Sequence, residues 1–117
     1  MSNKIAIFIY ESVEGDMSRA YRGLSTAAEF VRAGDEVAVV FDGSGPETLA
    51  AIIDPASKLN GLLQVISESI DGACSFCAAS HKVLDAIKEA GYPLLADNLG
   101  EASVRKYVNE GYTILNF

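Results

Sequence analysis

The sequence predicts an α/β fold: a five-stranded parallel sheet covered by helices on both faces, in one domain spanning residues 1–117. Three observations predict it. Short apolar runs alternate with stretches whose apolar residues recur at three- and four-residue spacing. The first run, Ile5-Ala6-Ile7-Phe8-Ile9, is apolar at consecutive positions, as a strand buried on both faces requires. Half of the 117 residues are hydrophobic, which suits one core and leaves little room for two.

The first predicted strand covers residues 4–10, and the polar loop Glu11-Ser12-Val13-Glu14-Gly15-Asp16 follows it. A helix is expected over about 17–33, because Met17, Ala20, Tyr21, Leu24, Ala27, Ala28 and Val31 fall on one stripe and Gly34 stops it. Asp16 or Ser18 is its expected N-cap. Residues 37–41 are the second strand, Asp42-Gly43-Ser44-Gly45 turns the chain, and Pro46 opens a helix to Ile53, where Asp54-Pro55 breaks it. A further helix over about 57–68 is weakened by Asn60-Gly61. The third strand, about 70–74, contains Asp71 and Gly72, both of which disfavour β structure. A helix is expected over about 76–90, with Ala79, Val83, Leu84, Ile87 and Ala90 as its buried stripe and Gly91 and Pro93 as its stop. A short fourth strand at 94–96, a helix over about 101–110 and a last strand at 112–117 complete the alternation. Right-handed crossovers gather the strand-to-helix loops at the C-terminal sheet edge, where such folds bind ligands. Tyr10-Glu11, Asp42-Gly43, Cys74 to Cys77 and Asp97-Asn98 lie in those loops.

The charge balance excludes several partners. Nine basic against 16 acidic residues give a net charge of −7, poorly matched to nucleic acid or to anionic membrane surfaces. No apolar run approaches the roughly 20 residues of a membrane-spanning helix, and residues 5–9 are too short for a signal peptide. A cytoplasmic location is expected, where a CxxC is more often redox, catalytic or metal-binding than a structural staple. Asp42-Gly43-Ser44-Gly45-Pro46 is neither a GxGxxG nor a P-loop, and the first loop carries Glu14 and Asp16 where a flavin phosphate would bind. Tryptophan, a frequent flavin-stacking residue, is absent, so no cofactor is expected.

The chemistry concentrates in Cys74-Ser75-Phe76-Cys77-Ala78-Ala79-Ser80-His81, which holds both cysteines and the single histidine. Cys77 falls in the first turn of its predicted helix, where unpaired N–H groups favour a thiolate. Cys74 sits at the strand end, and His81 lies one turn beyond Cys77. Three chemistries fit: Cys77 carrying sulfur as a persulfide, the pair cycling between dithiol and disulfide, or Cys74, Cys77 and His81 binding a metal. Against these, both cysteines serve equally as small core residues. In the first reading Cys74 is a resolving or auxiliary thiol and His81 orients the thiol or assists its deprotonation, while Tyr10, Asp42 and Asp97 shape the cleft.

Three segments resemble the DsrE/DsrF-like family of sulfur-relay proteins and uncharacterised relatives. Residues 28–43, from Ala28-Glu29-Phe30 to Phe41-Asp42-Gly43, are similar to that family's first helix, glycine turn and second strand. Gly72-Ala73-Cys74-Ser75-Phe76-Cys77-Ala78 resembles its cysteine segment, and residues 100–117, closing on Gly111-Tyr112-Thr113-Ile114-Leu115-Asn116-Phe117, its last helix and strand. The resemblance implies a three-layer α/β/α fold and homo- or hetero-oligomers, commonly trimers or hexamers, with a homo-oligomer expected for this chain. It also implies a sulfur-accepting cysteine at the position of Cys77, with donor and acceptor proteins or small sulfur compounds as partners. Cys74 is an addition to that pattern. An oligomeric binding or scaffold protein without chemistry is the alternative expectation.

Overall fold

The computed structural model describes residues 2–117. Its strands are β1 (Lys4–Ile9), β2 (Glu36–Phe41), β3 (Ile70–Cys74), β4 (Leu94–Leu95) and β5 (Thr113–Asn116). They form one sheet in the order β4-β3-β2-β1-β5, with every pairing between them parallel. The helices are α1 (Ser18–Arg32), α2 (Gly45–Ile52), α3 (Asn60–Val65), α4 (Ser75–Ser80), α5 (Leu84–Glu89) and α6 (Val104–Asn109). None of the helices among the described residues is long and apolar enough to cross a membrane.

The strand order explains the layers. The chain steps one way from β1 to β4, then returns past the whole sheet to place β5 beside β1. Crossovers of one hand put the helices of the outward steps on one face and that of the return on the other. Ile5, Ile7, Ile9, Val39 and Phe41 accordingly pack on Leu24 and Ala27 of α1, Leu49 and Ile52 of α2, Leu63 of α3 and Ile87 of α5. On the opposite face Ala6, Phe8, Ala38 and Val40 meet Tyr107 of α6 and Ala102 before it. The Phe8 and Tyr107 rings sit edge to face at 5.6 Å.

Several elements differ from expectation. The helix expected over 76–90 is two helices. His81 ends the first, and Lys82 takes a left-handed conformation at φ 61°. Lys82 N–H then donates to Ala79 O at 3.1 Å and Val83 N–H to Ala78 O at 2.9 Å, the pair of bonds that closes a Schellman terminus. The usual glycine is missing, so the break had no sequence signature. It also rotates the buried stripe: Ala78 and Ile87 are fully buried, Val83 and Leu84 are half-buried, and Ala79 and Ala90 are exposed. The helix expected over 57–68 reduces to α3 and a 3-10 turn at Ser67–Ser69. Asn60 instead turns its amide to the Ile52 and Ile53 carbonyls at 2.9 and 3.1 Å, capping α2. At the start of α1 neither Asp16 nor Ser18 occupies the cap; Met17 does, without a side-chain cap bond. The buried Glu11 carboxylate accepts from Ala20 N–H at 2.8 Å and so satisfies one of the donors left free at that terminus.

The irregular third strand has a structural role. Val39 pairs with Ile70 but Val40 pairs with Gly72, so Asp71 is an inserted residue in a bulge. Side chains alternate faces along a strand, and one inserted residue inverts that alternation. Ile70 lies in the first core and Cys74, four residues on, in the second. Without the bulge both would face the same way. Asp71 is held there by the Tyr107 hydroxyl, which donates to its carboxylate at 2.6 Å. Gly72 adopts φ 148°, and a Cβ on it would lie 2.2 Å from Pro93 O, so only glycine fits.

Candidate functional site

Tyr10, Asp42 and Cys74 sit at the C-terminal ends of the adjacent strands β1, β2 and β3. Tyr10 and Asp42 continue the second-face alternation of Ala6 and Phe8, and of Ala38 and Val40. The bulge brings Cys74 to the same face. The three residues therefore form one row along the rim of the sheet, and α4 starts immediately after it.

Cys74 is the N-cap of α4 and is fully buried. Its Sγ accepts from Cys77 N–H at 3.5 Å and from Ala102 N–H at 3.4 Å. The second donor belongs to the segment between β4 and α6, so one sulfur ties the cysteine turn to the return crossover. Cys77, in the first turn of α4, is partly exposed, and its thiol donates to Asp42 Oδ1 at 3.5 Å. Asp42 Oδ1 also accepts from Gly43 N–H at 2.8 Å, and Asp42 N–H donates to Ile9 O at 2.9 Å. Gly45 lets this turn close: a Cβ there would fall 1.9 Å from Ile9 O.

The electrostatics run against the expected activated thiolate. Burial, then the adjacent Cys74 and the Asp42 carboxylate, push the Cys77 thiol up to about 12, with Gly43 N–H the opposing influence. A six-residue helix supplies too small a field at its N-terminus to offset neighbours of this kind. Cys77 is a protonated thiol at neutral pH. Burial, Asp42 and Cys77 likewise raise the Tyr10 hydroxyl, which stays a hydrogen-bond donor.

His81 is placed elsewhere. Its Nδ1 lies 3.5 Å from Glu47 Oε2 on α2. Among the described residues, the His, Cys and acidic side chains whose ligand atoms converge within 4.8 Å are Asp42, Cys74 and Cys77. Asp42 stands where the sequence put His81 as third ligand. Asp97 pairs with Lys106 at 3.5 Å and lines a groove with Asn98, Ala102, Ser103 and Lys106. Sequence reasoning missed the Ala102 amide, a backbone group that any residue type would supply, and the Tyr107–Asp71 bond that pins the bulge. Asp71-Gly72 inside an apolar run was the one visible sign of the latter.

The fold and site together define a parallel-sheet α/β protein with a CxxC turn at the C-terminal edge of its third strand. No family model and no curated protein matches the sequence. Among solved structures, the fold is similar to that of a conserved protein of unknown function from Bacteroides thetaiotaomicron, with a TM-score of 0.67. The likeness covers 96% of this chain and 94% of that one at 14% identity, and it is a likeness of fold.

Proposed function

We propose that the chain is a DsrE-like cytoplasmic protein that handles sulfur through the thiol of Cys77. The observation that carries this reading is the position of Cys77 Sγ: partly exposed at the ligand-binding edge of the sheet, 3.5 Å from a carboxylate oxygen and one turn from a second thiol. The resemblance of residues 72–78 to the family's cysteine segment supports it. In the reaction Cys77 Sγ attacks the outer sulfur of a persulfide donor. A new S–S bond forms on Cys77, the donor's S–S bond breaks, and the Cys77 proton passes by way of Asp42 Oδ1 to the departing donor thiolate. The resting thiol is protonated, so its proton leaves as the new S–S bond forms, and Asp42 Oδ1 is the acceptor within hydrogen-bond reach. The same reading makes the protein a homo-oligomer, consistent with the outward-facing Val104 and Val108 one turn apart on α6.

The experiment is intact-protein mass measurement after incubation of the reduced, chelator-treated chain with polysulfide. A gain of one or more sulfur atoms, lost in Cys77→Ser, is expected. An unchanged mass, or a gain that survives Cys77→Ser, overturns the reading.

A dithiol cycle is a second reading, favoured by the two sulfurs lying within 4.8 Å of each other. Cys74 Sγ then attacks Cys77 Sγ of the persulfide, forming the Cys74–Cys77 disulfide and expelling hydrosulfide, which takes up the Cys74 proton. A two-hydrogen mass loss that appears as persulfide disappears identifies it. A persulfide that persists without that loss removes it.

A further inference from the structure

We infer that Asp42, Cys74 and Cys77 form a binding site for a thiophilic divalent cation of the zinc type, with a fourth coordination position open to solvent or an exogenous donor. In a tetrahedral site with Zn–S near 2.3 Å and Zn–O near 2.0 Å, a sulfur and an oxygen ligand stand about 3.5 Å apart and two sulfurs about 3.8 Å apart. Cys77 Sγ and Asp42 Oδ1 already stand 3.5 Å apart. All three ligand atoms lie within 4.8 Å, so any remaining edge closes with a shift of about 1 Å or less.

The surroundings hold the ligands in place. Cys74 Sγ receives two backbone N–H groups and Asp42 Oδ1 receives a third, the outer-shell pattern that orients metal ligands. These donors come from three separate segments, so the cluster is fixed by the fold and not by the CxxC turn alone. Two thiolates and a carboxylate carry three negative charges. None of the ion pairs among the described residues involves Asp42, and a divalent cation compensates most of that charge. Two sulfur donors select zinc-like ions over magnesium or calcium. Binding is a ligand exchange: the two thiol protons leave to solvent and no group changes oxidation state. Entry is from the Cys77 side, since Cys74 is sealed.

The site goes beyond sulfur handling and does not rest on it, because a bound cation and a persulfide compete for Cys77 Sγ. The test adds zinc(II) to the reduced, chelator-stripped full chain, desalts it and measures metal per chain. Cobalt(II) serves as the spectroscopic probe. One zinc per chain is expected, together with a near-ultraviolet thiolate-to-cobalt band and the visible spectrum of tetrahedral cobalt. Cys77→Ser and Asp42→Asn, each checked for folding by circular dichroism, weaken binding by about tenfold or more, and His81→Ala leaves it unchanged. Sub-stoichiometric metal overturns the inference, as does binding indifferent to Cys77→Ser and Asp42→Asn, or binding lost in His81→Ala. Persulfide formation is scored in chelator, so a failed metal site and a failed sulfur reaction give separate signatures.

Discussion

At Cys77 two influences of opposite sign meet, and their sizes decide the chemistry. The N-terminus of a short helix favours the thiolate; burial, Cys74 and the Asp42 carboxylate oppose it and win. Alkylation of the metal-free protein is therefore expected to be slow at Cys77 at neutral pH and to keep accelerating up to pH 10 without a plateau. Removing the carboxylate charge in Asp42→Asn lowers the thiol, and each unit by which it falls raises the thiolate fraction at pH 8 about tenfold. A Cys77 rate that levels off below pH 9, or one that Asp42→Asn slows, contradicts this assignment. Asp42→Asn thus has opposite consequences for two measurements: faster alkylation and weaker metal binding. The thiols were legible in sequence because they are neighbours there. Their partner was not, because Asp42 lies 32 residues before Cys74 and reaches it only through the pairing of β2 with β3. The same holds for the Ala102 amide, which arrives from the return crossover.

At the level of elements, alternation and stop residues were enough to place every strand of the sheet. What they could not show was phase. The break after Ser80 uses a lysine in a left-handed conformation, and nothing in the local composition separates it from an uninterrupted helix. The bulge at Asp71 was visible as a poor strand sequence, but its effect on the facing of Cys74 depends on the neighbouring strand. Glycines give a sharp test of these backbone devices. Gly72→Ala places a Cβ against Pro93 O at a positive φ, and Gly45→Ala places one against Ile9 O. Each is expected to cost about 3 kcal/mol or more, among the large single-residue effects. Gly61→Ala, inside α3 with nothing within 4 Å, is expected to stabilise by about 0.5–1 kcal/mol. Chemical denaturation of the three variants checks this, and a Gly72→Ala variant as stable as the parent chain would remove the bulge from its proposed role.

At the scale of the whole molecule, the titrating groups give stability a lopsided dependence on pH. Tyr10, Cys77, Tyr92, Tyr107 and Tyr112 are all held above their ordinary values, in each case first by burial. Each is an acid that is neutral in the folded chain. In the unfolded chain the thiol loses its proton near pH 8.5 and the tyrosines near pH 10. Above pH 8.5 the unfolded state therefore binds fewer protons than the native one, and the stability of the fold falls as pH rises toward 12. Asp16 is shifted the other way, lowered first by its hydrogen bonds from Ser18; its contribution is present above pH 4 and lost below it. Asp16 is fully exposed, so screening by water keeps that acid-side effect small. Denaturant midpoints measured from pH 5 to pH 11 are accordingly expected to be flat up to about pH 8 and to fall beyond it. Tyr107→Phe removes the group that burial and the Asp71 carboxylate raise furthest, and it should flatten the alkaline limb while lowering the plateau, because the Asp71 carboxylate in the bulge loses its hydroxyl donor. A midpoint that rises between pH 8 and pH 11, or an alkaline limb untouched by Tyr107→Phe, would show that these raised acids do not govern the response of the fold.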